Sequence, residues 1–316
     1  MNDSRAFLLT AGSAAMTLAT FGWIALGLLL GLPGLARADM NFTFTTIDVP
    51  GAVGTAVDGN SPPDAISGEY DDLGGITHGF IFRGGVYTTI DVPVPNANPS
   101  YTTINGINAS GQLSGTYMAS TGLRAFFSPS QGVFTTLIPP GSEKTRSIAG
   151  FLNSQGQVVG TYRDAANKRH GFLWGRGTFI NTTINVPNDD PVLGTVVFGI
   201  NDLGQIVGDY VDAHDHNRHG FLLSQGTYTT LDPPGSAFTV AEGINNAGVI
   251  VGFYFDASGQ QHGFLLKNGV YTQIDVPGST ATEINSINPQ GQIVGFYVDN
   301  SMPTGHTHGF VGTPAD

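Results

Sequence analysis

The chain has 316 residues, with 45 glycines, 18 prolines, no cysteine and only 11% charged residues. This composition is typical of a folded protein built from short strands and turns, and it excludes disulfides, thiolate metal sites and a cysteine nucleophile. The net charge of −12 argues against a nucleic-acid partner.

Residues 1–38 have the pattern of an export signal. Arg5 is followed by an uncharged stretch that contains "FGWIALGLLLGL", and the segment ends in "ARA" at Ala38. A charged start, an apolar middle and small residues at the end predict cleavage after Ala38 and a secreted or periplasmic protein. The alternative is an uncleaved anchor, because the apolar run is long enough to span a bilayer. Only in that case do we expect contact with a membrane.

Three sequence markers each occur six times after residue 38, at intervals of about 46 residues. The first is a Gly-x-Tyr group, and the second is "HGF", which becomes "RAF" at Arg124 in the second unit. The third is a segment of the type "TTIDVPG". Because six such units fill the remaining chain, residues 39–316 are predicted to form a single repeat domain. We expect it to be a monomer.

Each unit has room for four short strands, which the fifth unit illustrates with "EGINN", "VIVGFYFD", "HGFLLK" and "VYTQIDV". Asn and Gly between these segments favour tight hairpin turns, and a proline follows the fourth segment in every copy. No helical periodicity appears after residue 38. Four antiparallel strands in each unit predict an all-β fold, a six-bladed β-propeller.

The two ends of the chain complement each other in this scheme. The sixth unit stops at "HGFVGTPAD" without a fourth strand, and an unmatched "FTFTTIDVP" stands at residues 42–50. The N-terminal strand is therefore predicted to complete the last blade and close the ring, which would leave no long exposed sheet edge at the junction.

The motifs "HGF" and "INxxGQIVGxY" resemble the HAF-type extracellular repeats of exported bacterial proteins. The resemblance covers essentially all of the chain after residue 38, although Arg124-Ala125-Phe126 departs from the motif. It implies a secreted repeat protein. It transfers no catalytic residue to this chain.

Aspartate and histidine recur at three fixed positions of the unit: the end of the second strand, the start of the third and the end of the fourth. In an antiparallel blade these positions share one rim, so we expect each histidine to lie between two carboxyl-bearing strands. The set comprises Asp48, Asp72, His78, Asp91, Asp164, His170, Asp212, His219, Asp232, Asp256, His262, Asp275, Asp299 and His308, with Asn185 in one aspartate position.

The second unit loses all three of these groups together, because it carries Ala119, Arg124 and Ile138 instead. A joint loss favours a structural network whose members satisfy one another's hydrogen bonds. The alternative is a metal or catalytic role for the repeated histidines.

The loop "DAHDHNRH" departs most clearly from the repeat and brings together His214, Asp215 and His216. Imidazole and carboxylate groups suit zinc, nickel or copper, which makes these three residues a candidate metal site. The alternative is a solvated polar loop. The sequence requires no cofactor.

Two classes of function are compatible with these features. We favour a non-catalytic binding or scaffold module for an extracellular polymer or protein. The alternative is a lyase or hydrolase that acts on a glycan or small molecule in the central channel. An enzyme should carry unique polar residues on the innermost strands, whereas the predicted innermost segments consist mainly of Ile, Asn, Gly and Ser. This comparison favours the binding module.

Overall fold

The structure is a computed structural model that describes residues 41–93, 101–142, 146–301 and 306–315. The predicted export signal lies outside these residues. The described residues form 24 strands in six four-stranded antiparallel sheets. Within the described ranges, no helix has the length and apolar character needed to cross a membrane.

Each of the first five blades is a meander of four consecutive strands that runs from the axis outwards. Blade 1 contains β2 (Gly54–Ser61), β3 (Ala65–Asp71), β4 (Thr77–Arg83) and β5 (Val86–Ile90). Blade 2 contains β6 (Thr102–Ile107), β7 (Leu113–Ala119), β8 (Gly122–Ser130) and β9 (Val133–Leu137). Blade 3 contains β10 (Ser147–Leu152), β11 (Val158–Arg163), β12 (Arg169–Gly175) and β13 (Thr178–Ile184).

The remaining blades follow the same plan. Blade 4 contains β14 (Thr195–Ile200), β15 (Ile206–Val211), β16 (Arg218–Ser224) and β17 (Thr227–Leu231). Blade 5 contains β18 (Ser236–Ile244), β19 (Ile250–Asp256), β20 (Gln261–Lys267) and β21 (Val270–Ile274). Blade 6 contains β22 (Ala281–Ile287), β23 (Ile293–Val298) and β24 (Thr307–Pro314), and its outermost strand is β1 (Phe42–Ile47).

The predicted closure of the ring is confirmed. Strand β1 pairs antiparallel with β24, with Phe42 opposite Pro314 and Ile47 opposite Gly309. The backbone N–H of Ala315 donates to the carbonyl of Asn41 at 2.7 Å, which extends the pairing beyond the strands. The six-bladed propeller predicted from the repeats is therefore the observed fold.

The innermost strand of blade 5 differs from the predicted segment "EGINN". Strand β18 begins at Ser236 and ends at Ile244, so that Asn245 already belongs to the turn. The outermost strand ends at Ile274, and Asp275 follows it. Asn245 and Asp275 therefore lie just beyond the ends of their strands.

The hydrophobic core lies between neighbouring blades, and the Phe of each "HGF" or "RAF" motif is fully buried there. The repeated glycine of the second strand is required by close approach of the backbone. A Cβ on Gly252 would lie 2.0 Å from the carbonyl oxygen of Val240 and 3.0 Å from the ring of Phe264. The repeat pattern suggests that this glycine leaves space for the aromatic ring. The contact with the backbone of the neighbouring strand is closer and is therefore the stronger reason for glycine at this position.

Candidate functional site

The repeated histidines lie along one rim of the propeller, which we call the His rim after His78, His170, His219, His262 and His308. In blade 5, the Nδ1 of His262 lies 2.9 Å from Asp275 and its Nε2 lies 3.6 Å from Asp256. The imidazole also packs on the ring of Tyr254, with centroids 5.4 Å apart. His262 therefore lies between two carboxylates, with a hydrogen bond to Asp275 and a contact with Asp256 that is too long for the expected hydrogen bond.

The aspartate that ends the second strand has two structural contacts. One oxygen of Asp256 accepts hydrogen bonds from the backbone N–H groups of Ser258 and Gln260 at 2.8 and 2.9 Å, which closes the following turn. The other oxygen faces His262. Hydrogen bonds from the Ser258 hydroxyl and from the backbone lower the pKa of Asp256 to about 2. The carboxylate is thus held ionised by the turn that it stabilises.

Three further blades repeat this arrangement. Each histidine has its Nδ1 close to the group that follows the outermost strand and its Nε2 close to the aspartate that ends the second strand. The distances are 3.0 and 3.5 Å for His78 with Asp91 and Asp72, 3.0 and 3.0 Å for His170 with Asn185 and Asp164, and 2.8 and 3.3 Å for His308 with Asp48 and Asp299.

Blade 4 departs from the expected pairing. His219 contacts Asp232 through Nδ1 at 2.8 Å, but its Nε2 lies 3.2 Å from Asp215 rather than against Asp212. Asp212 instead accepts a hydrogen bond from the backbone N–H of His214 at 2.7 Å. This turn has one residue more than the turns of blades 1, 3 and 5. As a result, Asp212 accepts the hydrogen bond of the turn, and Asp215 contacts the histidine.

Blade 2 holds Arg124 at the histidine position, and this side chain is only 4% exposed. Its guanidinium donates to the hydroxyl of Thr121 at 3.0 Å and to the carbonyl of Leu123 at 3.4 Å. The substitution therefore replaces the aspartate–histidine network with a buried arginine that bonds to its own turn.

The candidate metal ligands His214, Asp215 and His216 do not converge. Their nearest ionic partners are Asp212 for His214, His219 for Asp215 and Asp190 for His216. Both loop histidines are largely exposed, at 80% and 73% of their side chains. Across the described ranges, no group of three His, Cys, Asp or Glu side chains is placed to hold a metal ion. In the described structure these three side chains therefore form no common ligand set, because each contacts a different neighbour.

The opposite rim carries a ring of asparagines that the repeat markers did not reveal. We call it the Asn rim, and it comprises Asn108, Asn153, Asn201, Asn245 and Asn288. The Oδ1 of Asn201 accepts hydrogen bonds from Leu203 and Gln205 of its own turn, at 3.1 and 3.0 Å. Its Nδ2 donates to the carbonyl of Asn245 in the next blade at 3.0 Å. Each such asparagine closes a turn, and four of them also join neighbouring blades. The repeated "IN" before the turn was the available signal.

Blade 1 interrupts this ring, because Ser61 stands where the other blades have asparagine. Among the described residues, the hydroxyl of Ser61 makes only a long contact of 3.5 Å, with the carbonyl of Pro62. Asn60, one position earlier, donates instead to the carbonyl of Gln292 in blade 6 at 2.9 Å. The junction between the first and last blades is therefore built differently from the others.

All six innermost strands carry a β-bulge at the same level of the channel. In each blade the innermost strand pairs with the second strand, and at the same place in this pairing the innermost strand has one extra residue. Such bulges redirect side chains and are frequent beside functional sites. Aligned across the blades, the bulged positions form what we call the bulge ring: Asp58, Asn105, Gly150, Phe198, Glu242 and Asn285. Unlike the His and Asn rims, this ring has a different residue or chemistry in almost every blade.

Acidic groups are concentrated on one side of the bulge ring. Glu242 is 6% exposed, and Glu283 on the adjacent strand is 8% exposed. Burial, followed by the charges of Glu283, Asp58 and Asp209, raises the pKa of Glu242 well above its ordinary value. Asp209 differs from Glu242 in having a basic partner, since it forms an ion pair with Arg218 at 3.2 Å.

A cavity of about 220 Å³ opens on the axis at the Asn rim and is lined by the ends of all six innermost strands and their turns. Isoleucines form much of its wall, and Ser154, Asp202 and Asn246 contribute polar groups. Phe151 is the only aromatic side chain among the described lining residues, and it is half-buried. The other blades have Gly or Ser at its aligned position. The cavity thus combines one apolar face with a polar border.

Neither a scan against protein-family models nor a search of the curated proteins finds a match to this chain. Among solved structures, the chain is similar to a gluconolactonase from Xanthomonas campestris (TM-score 0.52, 9% identity, 87% of this chain and 90% of that chain). It is also similar to a mutant of AofleA from Arthrobotrys oligospora (0.51, 11%, 82% and 84%) and to a fucoside-bound lectin from Aleuria aurantia (0.48, 12%, 85% and 97%). At these identities the likeness concerns the fold alone.

Proposed function

We propose that this protein is an extracytoplasmic, non-catalytic binding module that holds a sugar unit of an extracellular glycan in its axial cavity. The export-signal pattern and the resemblance to HAF-type repeats support the location. The observation that carries the proposal is Phe151, an aromatic side chain that breaks the repeat and lines this cavity.

The cavity has the mixed character that sugar binding needs. An aromatic ring can pack against the apolar face of a sugar, while directional polar groups bind its hydroxyls. Here Asp202 accepts a hydrogen bond from the backbone of Ser154 at 2.8 Å and another from the side chain of Asn246 at 2.7 Å. Those two contacts fix the carboxylate at the border of the cavity and leave it further acceptor capacity. The volume of about 220 Å³ suits one small unit rather than a long segment.

The proposal is tested by titrating the protein with a panel of monosaccharides and oligosaccharides in a calorimeter. Phe151→Ala should weaken binding of the recognised sugar at least about tenfold, because the stacking surface is lost. Phe134→Ala is the matched control, since Phe134 is a half-buried phenylalanine on an outermost strand away from the cavity. Equal affinity of the Phe151→Ala variant and the parent protein would contradict the proposal.

A hydrolase or lyase that works in the channel is the second candidate. The bulge ring favours it, because unique polar residues on the innermost strands are the feature expected of an enzyme rather than of a scaffold. Incubation with the oligosaccharide that binds best, followed by chromatography of the products, separates the two candidates. Unchanged oligosaccharide supports the binding module, whereas cleavage supports the enzyme.

A further inference from the structure

The axial cavity has one charged side chain among its described lining residues, that of Asp202. Asp202 follows Asn201 of the Asn rim in blade 4. Every other blade has an uncharged residue at the aligned position: Pro62, Ala109, Ser154, Asn246 and Pro289. Two departures from the repeat, the aromatic Phe151 and the acidic Asp202, therefore line the same space.

Asp202 is held in its ionised form. Partial burial raises its pKa, but hydrogen bonds from Asn246 and Ser154 outweigh this effect and lower the pKa below the ordinary value. Both of these partners are neutral residues. No lysine, arginine or histidine is among the described residues that line the cavity. The border of the cavity therefore carries a negative charge that no lining cation balances.

The carboxylate and the aromatic ring belong to adjacent blades and line one space of about 220 Å³. Ser154, whose backbone N–H donates to Asp202 at 2.8 Å, lies only three residues after Phe151 in blade 3. Asn246 fixes Asp202 from blade 5. Its Oδ1 accepts the backbone N–H of Asp202 at 2.9 Å, and its Nδ2 donates to the carboxylate at 2.7 Å. An aromatic ring and a fixed carboxylate at one site suit a ligand that has both an apolar face and a positive charge.

On the basis of the proposed function, we infer that the sugar unit in the axial cavity is an amino sugar, whose protonated amino group binds Asp202 while its ring packs on Phe151. An ammonium group offers three donors, and the carboxylate keeps acceptor capacity after its two contacts. The charge-assisted hydrogen bond that results is stronger than the bond of a neutral sugar hydroxyl. A uronic acid would instead bring a second carboxylate towards Asp202, and this repulsion selects against it.

The test is calorimetric titration of the full chain at about pH 6, where a primary amine is protonated. The probes are glucose, galactose and mannose, each beside its 2-amino form, together with glucuronate. The 2-amino form of the recognised sugar should bind about tenfold more tightly than the neutral form, and glucuronate should bind more weakly than either. Asp202→Asn should bring the two forms of the sugar to nearly equal affinity and should leave binding of the neutral form in place.

Asp64→Asn is the matched control, because Asp64 is an exposed acid in the corresponding turn of blade 1 and is not among the lining residues of the cavity. This variant should keep the preference of the parent. A simple amine such as n-butylamine should bind at least about tenfold more weakly than the amino sugar, because it has no ring to pack on Phe151. Equally tight binding of n-butylamine would show that the site recognises amines in general and would overturn the inference.

The outcomes separate this inference from the proposed function. If a neutral sugar binds and Phe151→Ala weakens it, but the 2-amino form binds no more tightly, only the amino-sugar inference is overturned. If none of the sugars binds, the proposed function is overturned with it. If Asp202→Asn loses all sugar binding, the parent decides: its preference for the amino form should fall at least about twofold between about 20 mM and 500 mM NaCl, since salt screens charges. A preference that does not change with salt overturns the role of Asp202.

Discussion

At the scale of single residues, the repeated aspartates and histidines connect parts of one blade. Asp256 closes its turn with one oxygen and faces His262 with the other, while His262 reaches Asp275 beyond the outermost strand. The hydrogen bonds of these groups are thus directed within the blade. This geometry favours the structural interpretation of the repeated residues over a ring of ligands.

His262→Ala should lower the free energy of unfolding by about 1–2 kcal/mol, because it leaves Asp275 without its imidazole partner. The lower part of the usual range applies, since the flanking carboxylates are about one-third exposed and partly screened by water. Urea denaturation of His262→Ala, Asp275→Ala and the double variant measures the coupling. His214→Ala, at an 80% exposed side chain, is the control and should change stability by less than about 0.5 kcal/mol. Strict additivity of the two single variants would contradict a shared network.

The His rim should contribute most to thermal stability between about pH 4 and pH 6.5. Burial alone would lower the pKa of His308, but the hydrogen bond and charge of Asp48, with those of Asp299, raise it above 6.5. The pKa of His219 is raised in the same way by Asp232 and Asp215. This stabilisation is complete below pH 6.5 and is lost as the pH rises through the folded-state values.

At low pH, stability changes with pH in the opposite direction. The pKa of Asp256 is lowered from 3.8 to about 2, so its contribution is present above pH 3.8 and is lost as the pH falls towards 2. Melting curves from pH 2 to pH 9 measure both changes, and the double variant His219→Ala, His308→Ala should flatten the alkaline one. A Tm that increases from pH 6 to pH 8 in the parent would contradict the assignment.

At the scale of strands and turns, the asparagines of the Asn rim set where each innermost strand ends. Their side chains accept two N–H groups of the turn, as Asn201 shows. They replace ladder hydrogen bonds at that point, and four of them bond across to the next blade. The turn and the blade interface are thus stabilised by the same residue.

Asn201→Ala should destabilise the protein by about 1–3 kcal/mol, because two turn N–H groups and the carbonyl of Asn245 lose their partner. Ser61→Ala tests the same position in blade 1, where the serine has only its long contact with Pro62. That variant should cost less than about 1 kcal/mol. Chemical denaturation of both proteins is the measurement, and equal losses would show that the asparagine bonds contribute little.

The sequence was sufficient to predict the strands, because glycine, asparagine and proline mark the turns in every unit. It also placed His262 between its aspartates, because strand ends on one rim follow from antiparallel pairing. It did not predict that Asp215 replaces Asp212 as the partner of His219. One extra residue changes the shape of that turn, and the positions of repeated residues in a sequence do not reveal such a change. The bulge ring was missed for a related reason: a bulge depends on pairing between strands, and Glu242 or Asn285 alone resembles any strand residue.

At the scale of the whole molecule, the ring is held closed by a strand from one end of the chain that completes a blade at the other. Strand β1 pairs with β24 along its whole length. Contacts between side chains reinforce the pairing, for example between Asp48 and His308 at 2.8 Å and between Thr46 and Tyr297 at 3.1 Å. Both pairs join the first and last parts of the propeller.

Deletion of residues 39–51 should open the ring and lower the Tm by well over 10 °C, because an edge of β24 and the apolar surface under β1 become exposed. Thr45→Ala, at an exposed position of β1, is the control and should unfold close to the parent temperature. Thermal unfolding followed by circular dichroism measures both proteins. A deletion variant that melts within a few degrees of the parent would contradict the importance of closure.

The pairing of β1 with β24 also determines when folding can finish. Asp48 and His308 are 260 residues apart in the chain, so closure joins segments of very high sequence separation and must wait until β24 has been synthesised. The meanders of blades 1 to 5 form from local segments. Before β1 pairs with β24, the sixth blade has three strands and an exposed edge at β24. During refolding at high protein concentration, β1 of a second molecule competes for that edge with β1 of the same chain. Strand-exchanged dimers are therefore the misfolded product to expect, and dilution should suppress them.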